Sequence, residues 1–215
     1  MYAKIVSKTK RYTEFQEFEN CYTLHHDDSS LDLELDSGKP LILELGCGSG
    51  VYTLELAKRF PDKQFIGIDT KSDRLHFGAQ EALQNNITNT KWLWASVDHI
   101  MRCFPEYSVD EIWITFPDPR PGRNRQKLSS PKYLKIYQNI LKSQWIIHIK
   151  TDDKDFFDYS LEVLPEAGFT IVGVQEDIYN NQKTDAEHLI EIQTYYEKKR
   201  LEEQRKVYYL QAQKN

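Results

Sequence analysis

The ten residues Leu41–Gly50, LILELGCGSG, decide the fold. An apolar run closes at Glu44-Leu45, then Gly46, Gly48 and Gly50 alternate through a tight turn, and the helical pattern VYTLELAKRF follows at Val51–Phe60. A chain leaving a parallel strand needs glycine there, for left-handed backbone angles and so that backbone can approach a ligand without Cβ atoms in the way. The spacing is GxGxG and not the GxGxxG of dinucleotide-binding turns. Glu44, two residues before the first glycine, suits a cationic amino-acid group and would repel a pyrophosphate. A glycine-rich turn that holds no ligand is the bland alternative.

Outward from this turn the chain alternates between strand and helix. Strands are predicted at Leu41–Leu45, Gln64–Ile68, Thr90–Trp94, Asp110–Phe116, Gln144–Ile149, Phe169–Gln175 and Lys206–Leu210. Helices are predicted at Val51–Phe60, Ser72–Asn85, Pro131–Leu141, Lys154–Leu164 and Thr194–Glu203. Short apolar strands separated by helices of this length indicate an α/β, doubly wound, mostly parallel sheet covered on both faces, here with seven strands and an antiparallel last one. Residues 1–40 lack a steady period and read as a partly ordered N-terminal arm with one short helix and a basic start at Lys4, Lys8, Lys10 and Arg11. Residues 41–215 form the main domain.

Asp69 closes the second strand. A carboxylate there can accept hydrogen bonds from both hydroxyls of a ribose held at the glycine turn, and it also suits the N-cap of the following helix. The turn resembles the first motif of Rossmann-like methyltransferases that bind S-adenosylmethionine (SAM), and the charge of Glu44 favours SAM over NAD. After the third strand, Ser96 and Asp98 stand where an adenine edge is expected, with Val97 placed to pack on its face.

The fourth strand ends in ITFPDPRP, Ile114–Pro121. Three alternating prolines stiffen the segment at the carboxyl edge of the sheet and hold Asp118 between two of them. Arg120, Arg123, Arg125 and Lys127 follow with no acidic residue among them. The chain carries a net charge of -5, so a polyanion has to be met by a local basic surface of this kind. A solvated basic loop is the plainer reading. The fifth strand ends in Lys150-Thr151-Asp152-Asp153, and Thr194-Tyr195-Tyr196-Glu197 stands near the C-terminus.

Across roughly residues 40 to 212 the chain resembles the bacterial tRNA (guanine-N7) methyltransferases, which modify a guanine in the variable loop of tRNA. The pattern of that family runs from E-x-G-x-G-x-G through F-S-D-P-W-P and a basic stretch to K-T-D-N and T-E-Y-E. Here it reads ELGCGSG at Glu44–Gly50, FPDPRP at Phe116–Pro121, KTDD at Lys150–Asp153 and TYYE at Thr194–Glu197. The resemblance implies that Glu44, Gly46, Gly48, Gly50, Asp69, Ser96, Val97 and Asp118 hold SAM. It implies that Asp118 and Asp152 face the guanine as the catalytic carboxylates. Thr194 and Glu197 would join Asp152 on the base, and Arg120, Arg123, Arg125 and Lys127 would contact tRNA. Arg120 replaces a tryptophan, Tyr195 replaces a glutamate, Ser96 stands for an acidic or amide residue, and the basic stretch is shorter.

Other functions stay open on sequence alone: SAM-dependent methylation of another RNA or a small molecule, or RNA binding without catalysis. No N-P-P-Y-like motif of exocyclic-amine methylation follows the fourth strand. Cys21, Cys47 and Cys103 are odd in number and unclustered, which suits a reducing compartment and packing roles in place of nucleophiles. Scattered histidines imply no metal. The first residues show no apolar segment of signal or membrane-spanning length, so a soluble cytoplasmic protein with no membrane partner is expected. The sequence assigns no oligomeric state.

Overall fold

Leu41, Leu43 and Leu45 pack into one hydrophobic cluster and Ile42 into another, the alternation of a strand buried on both sides. In the computed structural model, which describes residues 7–180 and 188–215, this strand lies inside an eight-stranded sheet. The elements in chain order are α1 (Lys8–Glu17), β1 (Cys21–Thr23), β2 (Leu41–Leu45), α2 (Val51–Arg59), β3 (Gln64–Asp69), α3 (Ser72–Gln84), β4 (Thr90–Trp94) and β5 (Val109–Thr115). There follow α4 (Pro131–Ile140), β6 (Leu141–Thr151), α5 (Lys154–Glu166), β7 (Phe169–Gln175), α6 (His188–Glu191), α7 (Tyr195–Glu202) and β8 (Tyr208–Lys214). Two 3-10 turns, Val97–Arg102 and Asn124–Gln126, interrupt the loops after β4 and β5.

The strand order is β1-β4-β3-β2-β5-β6-β8-β7. The pairs from β1 through β6 are parallel, and β8 runs antiparallel to both of its neighbours. From β2 the chain winds outward through β3 to β4, then crosses back to β5. That switch opens a crevice at the carboxyl ends of β2 and β5, the general place for ligands in open α/β sheets.

Helices close both faces. Leu134, Tyr137 and Ile140 of α4 and Phe156, Phe157 and Leu164 of α5 cover one. Tyr52 and Leu56 of α2, with Ile178, Leu189 and Ile192, cover the other beside Ile42 and Trp113. Phe15 of α1 and Leu75, Ala79 and Ala82 of α3 continue that second layer over Trp92.

The sheet gains one strand beyond the seven read from the sequence. β1 lies in the stretch taken as an arm and pairs parallel with β4, and α1 packs against α3 with Phe15 fully buried. Glu14 Oε2 and His76 Nε2, 2.7 Å apart, tie the two helices together. Lys4 lies outside the described residues. The last strand begins two residues later and runs on to Lys214, with Ala212 buried in it, and β6 begins at Leu141 directly from the end of α4. Among the described residues no helix is long and apolar enough to cross a membrane, and no His, Cys, Asp and Glu side chains are grouped as a metal site.

Candidate active site

The glycine turn is fastened to β3. The N–H groups of Gly46 and Cys47 donate to the Ile68 carbonyl at 2.8 and 3.1 Å. Gly48 N–H donates to Asp69 Oδ2 at 3.0 Å, and Lys71 N–H donates to Asp69 Oδ1 at 2.9 Å. Asp69 therefore fixes the turn and holds the residue that enters α3, although the N-cap itself is Lys71 and not Asp69, and each of its oxygens keeps lone-pair capacity for a ligand hydroxyl. It borders a cavity of about 430 Å³ that reaches from Gly46–Ser49 past Ser96–Asp98 to Phe116–Asp118, Arg120 and Thr194–Tyr196. Sites for small molecules commonly enclose about 300–1,000 Å³.

The three glycines do different work. Gly46 and Gly48 line the cavity, and a Cβ on Gly48 would meet nothing within 4 Å, although its φ of +59° strains any other residue. Gly50 is outside the lining. A Cβ there would lie 2.0 Å from the Trp92 ring, so this glycine serves packing of the indole under the turn. On the far wall, Ser96 caps the 3-10 turn at Val97 and its hydroxyl donates to Asp98 Oδ2 at 3.1 Å. Burial opposes the Asp98 charge, but Lys132 and Ser96 outweigh it and hold the carboxyl below its ordinary range. Open backbone at Gly46 and Gly48, acceptors at Asp69 and polar and apolar groups at Ser96–Asp98 fit the aminoacyl, ribose and base parts of SAM.

Glu44 is placed differently from the sequence expectation. It lies beneath the turn, 3% exposed and outside the cavity lining, accepting from Thr53 N–H at 2.9 Å and from the Thr115 hydroxyl at 2.6 Å. Burial pushes its carboxyl up to about 7 against these hydrogen bonds. It joins the start of α2 to the end of β5, the two walls of the crevice.

On the substrate side, Phe116 (φ 45°) and Arg120 (φ 50°) bracket Asp118 in left-handed backbone, a strained pair of bends that the prolines between them make rigid. Asp118 is 65% exposed and lines the cavity, and Arg120 Nε pairs with its Oδ2 at 3.0 Å. Arg123 and Arg125 are exposed on the following loop. Lys127 is not: it is 4% exposed, its Nζ donates to the Asp155 carbonyl at 3.4 Å and lies 4.6 Å from the Tyr159 ring centre, and it lines a separate cavity beside Asp153, Asp155 and Asp158. Asp152 also stays away from the cavity lining, its Oδ2 held by Arg200 at 3.0 Å and Arg205 at 2.9 Å.

Thr194 reaches the rim as the cap of α7, with its hydroxyl accepting from Glu197 N–H at 3.2 Å. Glu197 is fully buried below it. Its Oε1 accepts from Tyr179 at 2.7 Å and lies 2.7 Å from Lys150 Nζ. Lys150 spends its other two donors on the Leu189 and Ile192 carbonyls. Burial lowers Lys150 and raises Glu197, each partly offset by the other. The KTDD and TYYE segments thus meet through an ion pair that stands Thr194, Tyr195 and Tyr196 at the cavity mouth.

A family model described as "Putative methyltransferase" matches residues 38–210. The tRNA (guanine-N(7)-)-methyltransferase of Christiangramia forsetii is 36% identical over 216 residues, 95% of this chain and 96% of that protein. The chain belongs to the tRNA (guanine-N7) methyltransferase family. A protein of the same description from Porphyromonas gingivalis is 39% identical over 163 residues, 76% of this chain and 66% of that one. The solved structure of the 16S rRNA methyltransferase KamB shares the fold, with a TM-score of 0.64 at 15% identity over 83% of this chain and 89% of that chain.

In this family member Cys47 lines the cavity, yet burial, with Glu44 and Asp69 adding, pushes its thiol well above the ordinary value, so it offers no thiolate nucleophile. Sequence reasoning missed Lys150, Tyr179, Arg200 and Arg205 as partners of Glu197 and Asp152. A signal for the first was present: KTDD opens on a cation, Lys150, and TYYE closes on its single carboxylate, Glu197. It also missed Lys71 and Arg74, which line the cavity at the start of α3 and carry no motif.

Proposed function

We infer that this chain transfers a methyl group from SAM to N7 of a guanine in the variable loop of tRNA. The observation that carries the reading is the single cavity edge at which Asp69, Ser96, Asp118 and Thr194 converge beside the glycine turn. Bound SAM supplies a sulfonium methyl open to direct in-line displacement. Guanine N7 keeps its lone pair in the neutral base, so the chain needs no general base, and its task is alignment and electrostatics.

With SAM bound, Asp69 would accept from the ribose hydroxyls, Val97 and Ser96 would flank the adenine, and Gly46 and Gly48 would leave room for the aminoacyl part. Glu44 acts from below the turn by fixing Thr53 and Thr115. Asp118 accepts from the guanine N1–H and exocyclic amine, which turns N7 inward and favours the positive charge the purine gains. Thr194 contacts the base from α7. Asp152 and Glu197 position this wall through Arg200, Arg205 and Lys150, and Arg120, Arg123 and Arg125 hold backbone phosphates. A stacked guanine has to leave its neighbours to reach this depth. The enzyme meets its tRNA in the cytoplasm, and the catalytic domain takes in α1 and β1 together with residues 41–215, since both pack into the same sheet and helix layer.

The test is Asp118→Ala. SAM affinity by calorimetry should stay within about threefold while methyl transfer falls at least tenfold, about 1.4 kcal/mol of transition-state stabilisation. Unchanged transfer would remove Asp118 from the mechanism.

A further inference from the structure

The first turn of α1 carries Lys8, Lys10 and Arg11 and no acidic residue, and its last turn carries no basic one. This order runs against the helix dipole, whose positive end disfavours cations. A local rule broken at several neighbouring residues marks a surface kept for something other than stability. Lys8 and Lys10 are exposed, and Lys8 shares a helix face with Arg11 and Tyr12 one turn on.

That face adjoins the cavity. Arg11 lies over the Phe77 ring at 5.2 Å and 3.8 Å from Asp73, on the first two turns of α3. Lys71 and Arg74, both exposed, line the cavity from the same helix start. Tyr12 meets Trp94 edge-on at 5.4 Å, and the Trp94 indole donates to the carbonyl of Thr70, another lining residue. Tyr12 and Phe77 keep 40% and 51% of their surface exposed among these cations. Among the described residues Lys8, Lys71 and Arg74 have no carboxylate partner, whereas Lys10 is paired with Glu14.

We propose that α1 and the start of α3 form a second tRNA-binding surface, on the β3–β4 flank of the cavity, facing the Arg120–Arg125 loop across β2. The proposal rests on the tRNA reading above. In a chain of net charge -5, clustered cations with interleaved exposed rings fit a phosphate backbone with unpaired bases. With cations on both flanks, the nucleotide between the two phosphate contacts is delivered to the cavity.

Lys8→Glu/Lys10→Glu tests this, since neither residue lines the cavity. SAM affinity and the thermal midpoint serve as controls for the fold. Binding of unmodified tRNA at about 0.1 M salt should weaken at least tenfold, and the slope of log affinity against log salt should become shallower by about two. A second measurement needs no variant: tRNA should shield Lys8, Lys10 and Lys71 of the wild-type chain from amine acetylation and leave the exposed Lys39, just before β2 at the amino ends of the strands, reactive. Unchanged slope and unshielded Lys8 and Lys71, with wild-type tRNA methylation intact, would overturn the surface and spare the function. Failure of the wild-type chain to bind tRNA would overturn both.

Discussion

Removing the Lys150 charge should loosen the molecule at the point where its substrate wall is anchored. Lys150 and Glu197 are each fully buried, and the ammonium group has three acceptors for its three protons: Glu197 Oε1, Leu189 O and Ile192 O. Lys150→Met keeps most of the volume but leaves the carboxylate with Tyr179 and its helix-cap contacts, and leaves two carbonyls short of a donor. Breaking a buried pair from one side costs about 3–5 kcal/mol. For a chain of this size each kcal/mol moves the melting midpoint by about 2–4 °C, so a fall of about 6–20 °C is expected.

Glu197→Gln alone should also destabilise, since it strands the ammonium. The double variant Lys150→Met/Glu197→Gln removes both charges and should cost less than the sum of the singles by about 0.5–3 kcal/mol. Urea unfolding of the four proteins at one pH measures this cycle. Singles within about 1 kcal/mol of wild type, or a strictly additive double, would refute the argument that this pair holds α7 and Thr194 in place.

Two carboxyls set opposite pH limbs of stability. Burial would raise Glu111, but its contacts with His148 hold it at about 2, so its contribution is complete above about pH 4.5 and is lost as pH falls toward 2, about 3 kcal/mol in all. Glu111→Gln should flatten that acid limb. Glu44, raised to about 7 by burial, contributes most below about pH 4.5 and loses its contribution as pH rises through 7, so Glu44→Gln should gain relative stability above neutrality in unfolding measured from pH 5 to 8. Arg123→Ala/Arg125→Ala should weaken tRNA binding and reduce the salt slope by about two with SAM affinity kept, whereas Lys127→Ala should lower the melting midpoint through lost packing. Equal effects of the two changes on the salt slope would restore Lys127 to the phosphate contacts.

Much of the fold was legible because its signals are local. β2, β4 and β7 fall on the residues the apolar pattern marks, since each is bounded by turn residues; β2 is buried on both faces, whereas β7 is an edge strand that leaves Val172 and Val174 exposed. β1 has three half-buried residues and no period of its own, and it exists because the edge of β4 offers backbone partners. β8 continues through Gln211 and Gln213, which pair with β6 and β7; the alternation Leu210-Gln211-Ala212-Gln213, with Leu210 and Ala212 buried, was a legible signal for this extension. In the site, Gly48, Asp69, Ser96 and Asp118 were legible because a strand end fixes where its next residues point. Asp152, Glu197 and Lys127 were not, because what a charge does depends on partners brought from elsewhere in the chain: Arg200 and Arg205, Lys150, and the ring of Tyr159. Gly50 shows the same limit, its motif position belonging to Trp92.

The central claim is the reaction. The purified chain is incubated with methyl-labelled SAM and unmodified tRNA, and the tRNA is digested to nucleosides and separated. Label in 7-methylguanosine, lost in Asp118→Ala, is the expected result. Label in another nucleoside, or none from folded chain that binds both SAM and tRNA, would contradict it.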